Sequence, residues 1–315
     1  PIHMLAPRWS LDVARRMPEV DQAIELPFDH GELQLKKRWA FARTLRYSNY
    51  HRAFVLPNSL KSALIPAMAG IPRRIGWRGE YRYKLLTDLR ILHETRFPRM
   101  IDRYMALGFP ANLALSANQL PEAPPLPQLA VDEDSQAALI KIHGLETNRL
   151  VGLCPGAEFG PAKQWPLDRF ADLAKRLVDE GYQVLLLGSP NDAEDAALIM
   201  DQVPESKRSE FVNLTGQTSI PEVVDLISLT QAVVTHDSGL MHVAAAIGRP
   251  LVALYGPSSP EHTPPLSESA VTLTHPVPCH PCFERECPLK HQACLSELSV
   301  DEVFQALVSQ MNRLV

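Results

Sequence analysis

The densest group of chemically useful residues follows a short apolar run. Ala232 to Thr235 is typical of a buried parallel strand. His236 to Gly239 are turn and N-cap residue types, and they lead into a predicted helix from Leu240 to Ile247. A helix that begins at the carboxyl end of a strand presents unpaired N–H groups and the positive end of its dipole, so the loop is predicted to bind phosphate. The alternative is an ordinary turn in which Asp237 or Ser238 caps the helix.

A second strand, loop and helix follow the same plan. The apolar run Leu150 to Cys154 ends in a loop from Pro155 to Pro166, and an amphipathic helix is predicted from Leu167 to Glu180. Small residues in the loop let the backbone approach a phosphate closely. Lys163 could place a point charge on a diphosphate at the carboxyl edge of the sheet. The alternative for Lys163 is a solvated loop lysine.

The two loops together resemble a known family of enzymes. Asp237, Ser238, Gly239 and His242 match the D-[ST]-G-x-x-H signature of the lipopolysaccharide heptosyltransferases, the family 9 glycosyltransferases. Lys163 matches the lysine of their K-x-W-P motif, which lies on the nucleotide diphosphate. The string CPGAEFGPAKQWP looks most like the members that add the second inner-core heptose.

The resemblance implies a reaction, a donor and a set of site residues. It implies transfer of heptose from ADP-L-glycero-D-manno-heptose, with inversion, to the first heptose of the lipopolysaccharide inner core (heptosyl-Kdo2-lipid A). Asp192 matches an acidic residue that binds the adenosine ribose, although it could instead be a helix N-cap. The expected catalytic residues are Lys163, Asp237 and His242, and the expected donor-binding residues are Gly156, Ala157, Glu158, Lys163, Asp192, Thr218, Asp237, Ser238, Gly239 and His242.

Two other functions stay open from the residues. One is another family 9 transferase, such as the enzyme that adds the first heptose. The other is a non-catalytic protein that binds a nucleotide sugar or a dinucleotide. Family members also place a strand, a glycine turn with an aspartate and a helix before the segment that begins at Pro1. The resemblance therefore puts the general base, an aspartate, upstream of Pro1.

Length and strand–helix alternation predict an α/β protein with two domains. The chain has 315 residues, of which 45% are hydrophobic and 21% are charged, as in ordinary globular proteins. Strands and helices alternate after residue 150, which predicts a parallel, doubly wound sheet. The family resemblance implies a GT-B-like arrangement, two Rossmann-like doubly wound domains facing across a cleft. We expect an acceptor-binding domain over residues 1–130, lacking its first strand, turn and helix, and a donor-binding domain over residues 146–315.

A basic segment suggests how an anionic acceptor could be bound. Residues 73–103 hold nine basic side chains against four acidic ones, in a chain of net charge −5. Phosphorylated lipopolysaccharide core fits this charge, and no nucleic-acid motif accompanies it. A solvated helix face is the alternative. The expected acceptor-binding residues are Asn58, Lys61, Arg73, Arg74, Arg78 and Arg82.

Four close cysteines form the remaining motif. Cys279, Cys282, Cys287 and Cys294 have the spacing C-x2-C-x4-C-x6-C. Only the first pair has zinc-like spacing, so a structural zinc is considered but not favoured, and no cofactor or metal is expected. No apolar run approaches the roughly 20 residues that span a bilayer. The sequence predicts a cytoplasmic protein, and the resemblance implies peripheral contact with the cytoplasmic face of the inner membrane.

Overall fold

The computed structural model describes residues 1–28, 31, 33–113, 115–120 and 124–313. Its strands are β1 (His3–Pro7), β2 (Gln22–Leu26), β3 (Arg52–Phe54), β4 (Arg73–Trp77), β5 (Asp88–Arg90), β6 (Leu150–Cys154), β7 (Gln183–Leu186), β8 (Phe211–Asn213), β9 (Ala232–His236), β10 (Leu251–Leu254) and β11 (Ala270–Leu273). Its helices are α1 (Arg8–Arg15), α2 (Leu35–Leu45), α3 (Leu60–Met68), α4 (Met100–Gly108), α5 (Glu133–His143), α6 (Leu167–Asp179), α7 (Ala193–Asp201), α8 (Ile220–Leu229), α9 (Gly239–Ile247), α10 (Ala293–Ser296) and α11 (Val300–Asn312).

The chain divides into two compact units. The large unit contains Pro1–Glu25, Leu126–Pro260 and Pro264–Val315, and the small unit contains Leu26–Pro125 and Glu261–Thr263. This division differs from the predicted domain 1–130, because the first 25 residues pack with the large unit. It also differs in the short excursion of Glu261–Thr263 to the small unit.

A parallel sheet forms the centre of the large unit. The six strands lie in the order β8-β7-β6-β9-β10-β11, and each neighbouring pair is parallel. Numbered by position in the chain, this order is 3-2-1-4-5-6, the doubly wound order of nucleotide-binding folds. The strand order reverses between β6 and β9. The predicted α/β class is therefore confirmed, and ligands of such sheets bind at the carboxyl ends of the strands beside this reversal.

Helices cover both faces of this sheet. Every residue of β6, β7, β9 and β10 is buried, which explains their continuous apolar sequences. Alternate β6 residues face opposite sides, so Val151 packs in the cluster that contains Phe170 of α6. Leu150 packs in the cluster that contains Met241 of α9. The sheet is thus held rigid on both sides, which fixes the loops at its edge.

A buried ion pair explains why the N-terminal segment belongs to the large unit. Arg16, just after α1, donates from NH2 to Asp225 Oδ2 of α8 at 2.8 Å. The Asp225 side chain is fully buried and also accepts from the Asp132 backbone N–H at 2.9 Å. A buried carboxylate that loses a partner is costly, so this pair anchors α1 to α8. Sequence patterns alone could not reveal a contact between residues so far apart.

The small unit has its own sheet and core. Strands β3, β4 and β5 lie side by side and are parallel. Ile75 and Trp77 of β4 pack with Phe97 and with Leu107 of α4. β3 spans only three residues, and the proline at position 57 lacks the backbone N–H that a longer strand would need.

Candidate functional site

Two loops meet where the strand order of the large sheet reverses. The loop after β6 contains a short 3₁₀ turn, Pro161–Lys163, and the loop after β9 leads directly into α9. Because β6 and β9 are adjacent parallel strands, their following loops share one edge of the sheet. Both loops that the sequence singled out therefore form one site.

Lys163 and Asp237 form an ion pair across these loops. Lys163 Nζ lies 2.6 Å from Asp237 Oδ2 and 3.3 Å from the Asp237 carbonyl oxygen. Both side chains are largely buried, with 15% and 8% of their surface exposed. Lys163 Nζ also lies 4.8 Å from the centre of the Phe159 ring. The ammonium is thus held at the sheet edge in a place where little water screens it.

His236, the last residue of β9, ties the two loops together and was not predicted as a site residue. Its Nε2 accepts from the Trp165 backbone N–H at 2.8 Å, and its Nδ1 lies 3.2 Å from the Gly156 carbonyl oxygen. The first contact requires an unprotonated Nε2, so Nδ1 carries the proton and donates to Gly156. Burial lowers the pKa of His236 to about 4, which keeps the ring neutral at physiological pH. His236 thereby fixes both ends of the segment that carries Lys163.

Gly156 and Asp192 lie against each other. A Cβ built on Gly156 would fall 2.3 Å from Asp192 Cγ, so no larger residue fits while the carboxylate keeps this position. Asp192 Oδ2 accepts from the backbone N–H of Ser189 at 2.7 Å and from its hydroxyl at 2.8 Å. In this capping box Ser189 is the N-cap and Asp192 is the third residue of the turn. The alternative role expected from the sequence was an N-cap at Asp192 itself, but its side chain makes no cap bond at the start of α7. The cap places the carboxylate directly beside the first glycine of the β6 loop.

The first turn of α9 is open to a ligand. The N-cap residue Ser238 is extended, at φ −145° and ψ 175°, and makes no side-chain cap bond. Its hydroxyl lies instead 3.2 Å from Thr235 Oγ1. The N–H groups that begin at Gly239 therefore keep the capacity to bind an anion. His242, one turn later, is exposed, and partial desolvation lowers its pKa.

The remaining predicted donor residues differ in their surroundings. Ala157 is half-buried and Glu158 is exposed on the β6 loop. The hydroxyl of Thr218 is buried and has no hydrogen-bond partner among the described residues, and the same holds for Thr215 and Ser258. Since a buried hydroxyl without a partner is unfavourable, these groups are available to a polar ligand. Thr215 and Ser258 follow β8 and β10, and sequence reasoning did not select them.

The predicted acceptor residues all lie in the small unit, but one of them is internal. Arg82 is completely buried. Its NH2 donates to Asn58 Oδ1 at 2.9 Å and its Nε donates to the Trp77 carbonyl at 3.1 Å. NH1 donates to the Pro57 carbonyl. The expectation that Arg82 faces an acceptor is therefore revised, because its donors hold the loop that carries Asn58.

The other basic residues of this set are more accessible. Arg73 and Arg78 are exposed, and Lys61 is half-buried. Arg74 is half-buried and donates from Nε to the Leu85 carbonyl at 2.6 Å, so part of its guanidinium is used within the unit. Arg73, Arg78 and Lys61 thus remain as cations for an external anion.

The four clustered cysteines line one small cavity together with His280 and His291. The four cysteines are free thiols. Within the described part of the chain, no three His, Cys, Asp or Glu side chains are arranged to hold a metal ion. No helix among the described residues is long and apolar enough to cross a membrane.

Comparison with known proteins agrees with this geometry. The family model for glycosyltransferase family 9 (heptosyltransferase) matches residues 38–293. Lipopolysaccharide heptosyltransferase 2 of Escherichia coli strain K12 is 49% identical over 307 residues, covering 97% of this chain and 88% of that protein. Lipopolysaccharide heptosyltransferase 2 of Salmonella typhimurium strain LT2 is 44% identical over 312 residues, covering 99% of this chain and 90% of that protein.

The solved structure of E. coli ADP-heptose LPS heptosyltransferase II matches with a TM-score of 0.89 and 42% identity, over 99% of this chain and 90% of that chain. The doubly wound sheet and its two loops thus define an enzyme of the GT-B glycosyltransferase class. Within that class, the chain belongs to glycosyltransferase family 9, the heptosyltransferases.

Proposed function

We propose that this heptosyltransferase moves a heptose from ADP-L-glycero-D-manno-heptose to the first heptose of the lipopolysaccharide inner core, with inversion at the anomeric carbon. The observation that carries the proposal is the Lys163–Asp237 pair at the edge between β6 and β9. It places a cation and an open helix N-terminus at one point, as a departing diphosphate requires.

Lys163 would act on the leaving group. As the bond to the sugar breaks, negative charge grows on the diphosphate, and a preorganised ammonium stabilises that charge. In the structure this ammonium faces Asp237, so donor binding exchanges one anionic partner for another. The backbone N–H groups of Ser238 and of Gly239, the first residue of α9, would hold the same phosphates. Because Asp237 is anionic, it would contact the sugar, together with His242, and not the phosphates.

Asp192 would hold the adenosine ribose. Its carboxylate keeps free acceptor capacity beyond the two bonds from Ser189, and a ribose offers two hydroxyl donors. The absence of a side chain on Gly156 leaves the loop backbone close to this carboxylate. The buried hydroxyl of Thr218 would bond the same nucleotide, and Ala157 and Glu158 would line its entrance.

The acceptor would be bound by the small unit and presented at a membrane. Arg73, Arg78 and Lys61 would meet the phosphorylated core, while Asn58 and Arg74 would shape the loops around them. Because this acceptor is linked to lipid A, the enzyme would work in peripheral contact with the cytoplasmic face of the inner membrane. Its location would accordingly be cytoplasmic.

A donor and acceptor panel tests the proposal. We expect turnover with ADP-L-glycero-D-manno-heptose and heptosyl-Kdo2-lipid A, and little with Kdo2-lipid A, which lacks the first heptose. Preference for Kdo2-lipid A would assign the chain to the transferase that adds the first heptose. Binding of ADP-heptose without transfer to any acceptor would favour the non-catalytic alternative.

A further inference from the structure

Positive charge is concentrated in the small unit. That unit has sixteen Lys and Arg residues against eight Asp and Glu, whereas the large unit has fifteen against twenty-eight. The stretch from residue 33 to residue 79 is the extreme case, with ten basic residues and no acidic one. The positive side chains of this stretch repel one another, and an anionic partner would relieve that repulsion.

One face of α2 is turned toward the core of the small unit. Arg38 and Ala42 are buried, and Arg38 Nε donates to the Leu33 carbonyl at 2.6 Å. The Arg38 guanidinium also lies 4.4 Å from the centre of the Phe28 ring. These contacts fix the rotation of α2, since residues 38 and 42 are one helical turn apart.

The exposed side of α2 and the turn that follows it present cations and aromatic rings. Lys36, Lys37 and Arg43 are exposed, and the exposed fraction of Trp39 is 49%. Tyr47, in the 3₁₀ turn Arg46–Ser48 after α2, is 85% exposed. Arg43 lies 4.8 Å from the centre of the Trp39 ring, which brings a cation and an indole together at the surface. We call these five residues the α2 face. None of them was selected from the sequence.

We propose that the α2 face docks the protein on the anionic phospholipid headgroups of a membrane. A helix surface with clustered Lys and Arg beside exposed Trp and Tyr suits the headgroup region, where cations meet phosphates and amphipathic rings settle at the interface. The choice of a membrane as partner rests on the proposed function, because the acceptor is a membrane lipid. The exposure of these cations and aromatic rings is an observation on the structure and does not depend on the proposed function.

None of the five residues of the α2 face is among the proposed acceptor cations. Arg73 and Arg78 lie on and beside β4. Lys61 belongs to α3, and its carbonyl accepts from Arg38 NH1 on the inward side of α2. Loss of the α2 face should therefore weaken membrane attachment without changing how a soluble acceptor fragment is bound. This difference gives the experiment its two arms.

The first arm measures binding to vesicles. The parent protein should bind vesicles of mixed phosphatidylcholine and phosphatidylglycerol far more tightly than vesicles of phosphatidylcholine alone. The triple variant K36Q/K37Q/R43Q should lose about a hundredfold in affinity, since each basic side chain near an anionic surface contributes about fivefold. A matched triple variant of exposed large-unit cations, K141Q/K290Q/R313Q, should bind like the parent. An equal loss in both variants, or parent binding that ignores phosphatidylglycerol, would overturn the proposal, as would a preference for a single-stranded oligonucleotide over the vesicles.

The second arm measures transfer to the same acceptor core in two forms. The α2 variant should keep the parent kcat/KM with a deacylated, lipid-free core and lose most of it with intact acceptor embedded in anionic vesicles. Equal losses with both forms would refute a docking role. If the parent transfers heptose to neither form, the proposed function fails, and the vesicle-binding arm still decides the docking surface. An unchanged melting temperature checks that the variants fold.

Discussion

Replacement of Lys163 by Met tests the electrostatic argument most directly. Lys163 Nζ lies 2.6 Å from Asp237 Oδ2 in a place where both side chains are largely shielded from water. The substitution removes the cation that would face the diphosphate, and it also leaves the Asp237 carboxylate unneutralised beside it. Both changes oppose the departure of ADP.

The size of the effect follows from the charges. Two unit charges about 4 Å apart at an effective dielectric constant of about 20 interact by about 4 kcal/mol. Loss of a single electrostatic stabiliser in other enzymes lowers kcat by about 10²- to 10³-fold. We expect kcat of Lys163→Met to fall by the same order, measured as ADP released in the presence of saturating donor and acceptor.

A double variant separates the two contributions. In Lys163→Met/Asp237→Asn neither charge remains, so ADP affinity, measured by calorimetry, should recover about tenfold relative to Lys163→Met alone. ADP carries no sugar, which keeps the proposed sugar contacts of Asp237 out of this comparison. The matched control is Lys175→Met on α6, which removes a lysine whose Nζ lies 2.6 Å from Asp172 Oδ1 outside the site. Parent-like kcat in Lys163→Met, or a drop of similar size in Lys175→Met, would refute the assignment.

Three further predictions concern buried groups. Burial lowers the pKa of His236 to about 4, below the usual value of about 6.5 that it regains on unfolding. The unfolded protein therefore takes up this proton first, so the free energy of unfolding is unaffected above pH 6.5 and declines by about 3 kcal/mol as pH falls toward 4. Denaturant titrations should show a steeper acid loss of stability for the parent than for His236→Gln. Equal slopes would contradict this. Arg82→Met should lower the free energy of unfolding by about 3 kcal/mol, because several buried acceptors lose their donor. Arg78→Met should change it by less than about 0.5 kcal/mol and should raise the acceptor KM. Similar losses of stability in both variants would contradict the assignment of Arg82 as structural and Arg78 as acceptor-binding. Burial raises the pKa of the Cys154 thiol to about 12, while at Cys287 backbone N–H donors outweigh desolvation and lower the pKa. Iodoacetamide followed by peptide mass spectrometry should therefore find Cys287 labelled first and Cys154 labelled only after unfolding. Early labelling of Cys154 would contradict its burial.

Sequence patterns identified the elements that are buried on both faces. The strands β6 and β9 are buried on both faces, so their apolar runs stand out, and each is followed by turn residues and a helix. α11 begins with a capping box, Ser299 with Glu302, which is a sequence signal for the start of a helix. α2 gave no such signal, because its inward face contains Arg38 and its outward face contains Trp39.

Site residues were predictable as types but not as contacts. Lys163 and Asp237 were both selected, but their ion pair depends on β6 lying beside β9, which only the sheet order reveals. His236 was placed in a turn, and its role as a buried link appears only once it is seen to end β9. Arg82 was grouped with exposed cations because charge alone does not distinguish a surface arginine from one that bonds backbone carbonyls.

The ion pair between Arg16 and Asp225 also sets an order of events during synthesis. The two residues are 209 positions apart, and both belong to the large unit. At about 5–20 residues per second, a ribosome needs roughly 10–40 s to produce Asp225 after Arg16. Residues 26–125, the main segment of the small unit, are made in that interval, whereas Glu261–Thr263 of the same unit follow later. Arg16 therefore stays without its carboxylate partner until most of the small unit has been synthesised.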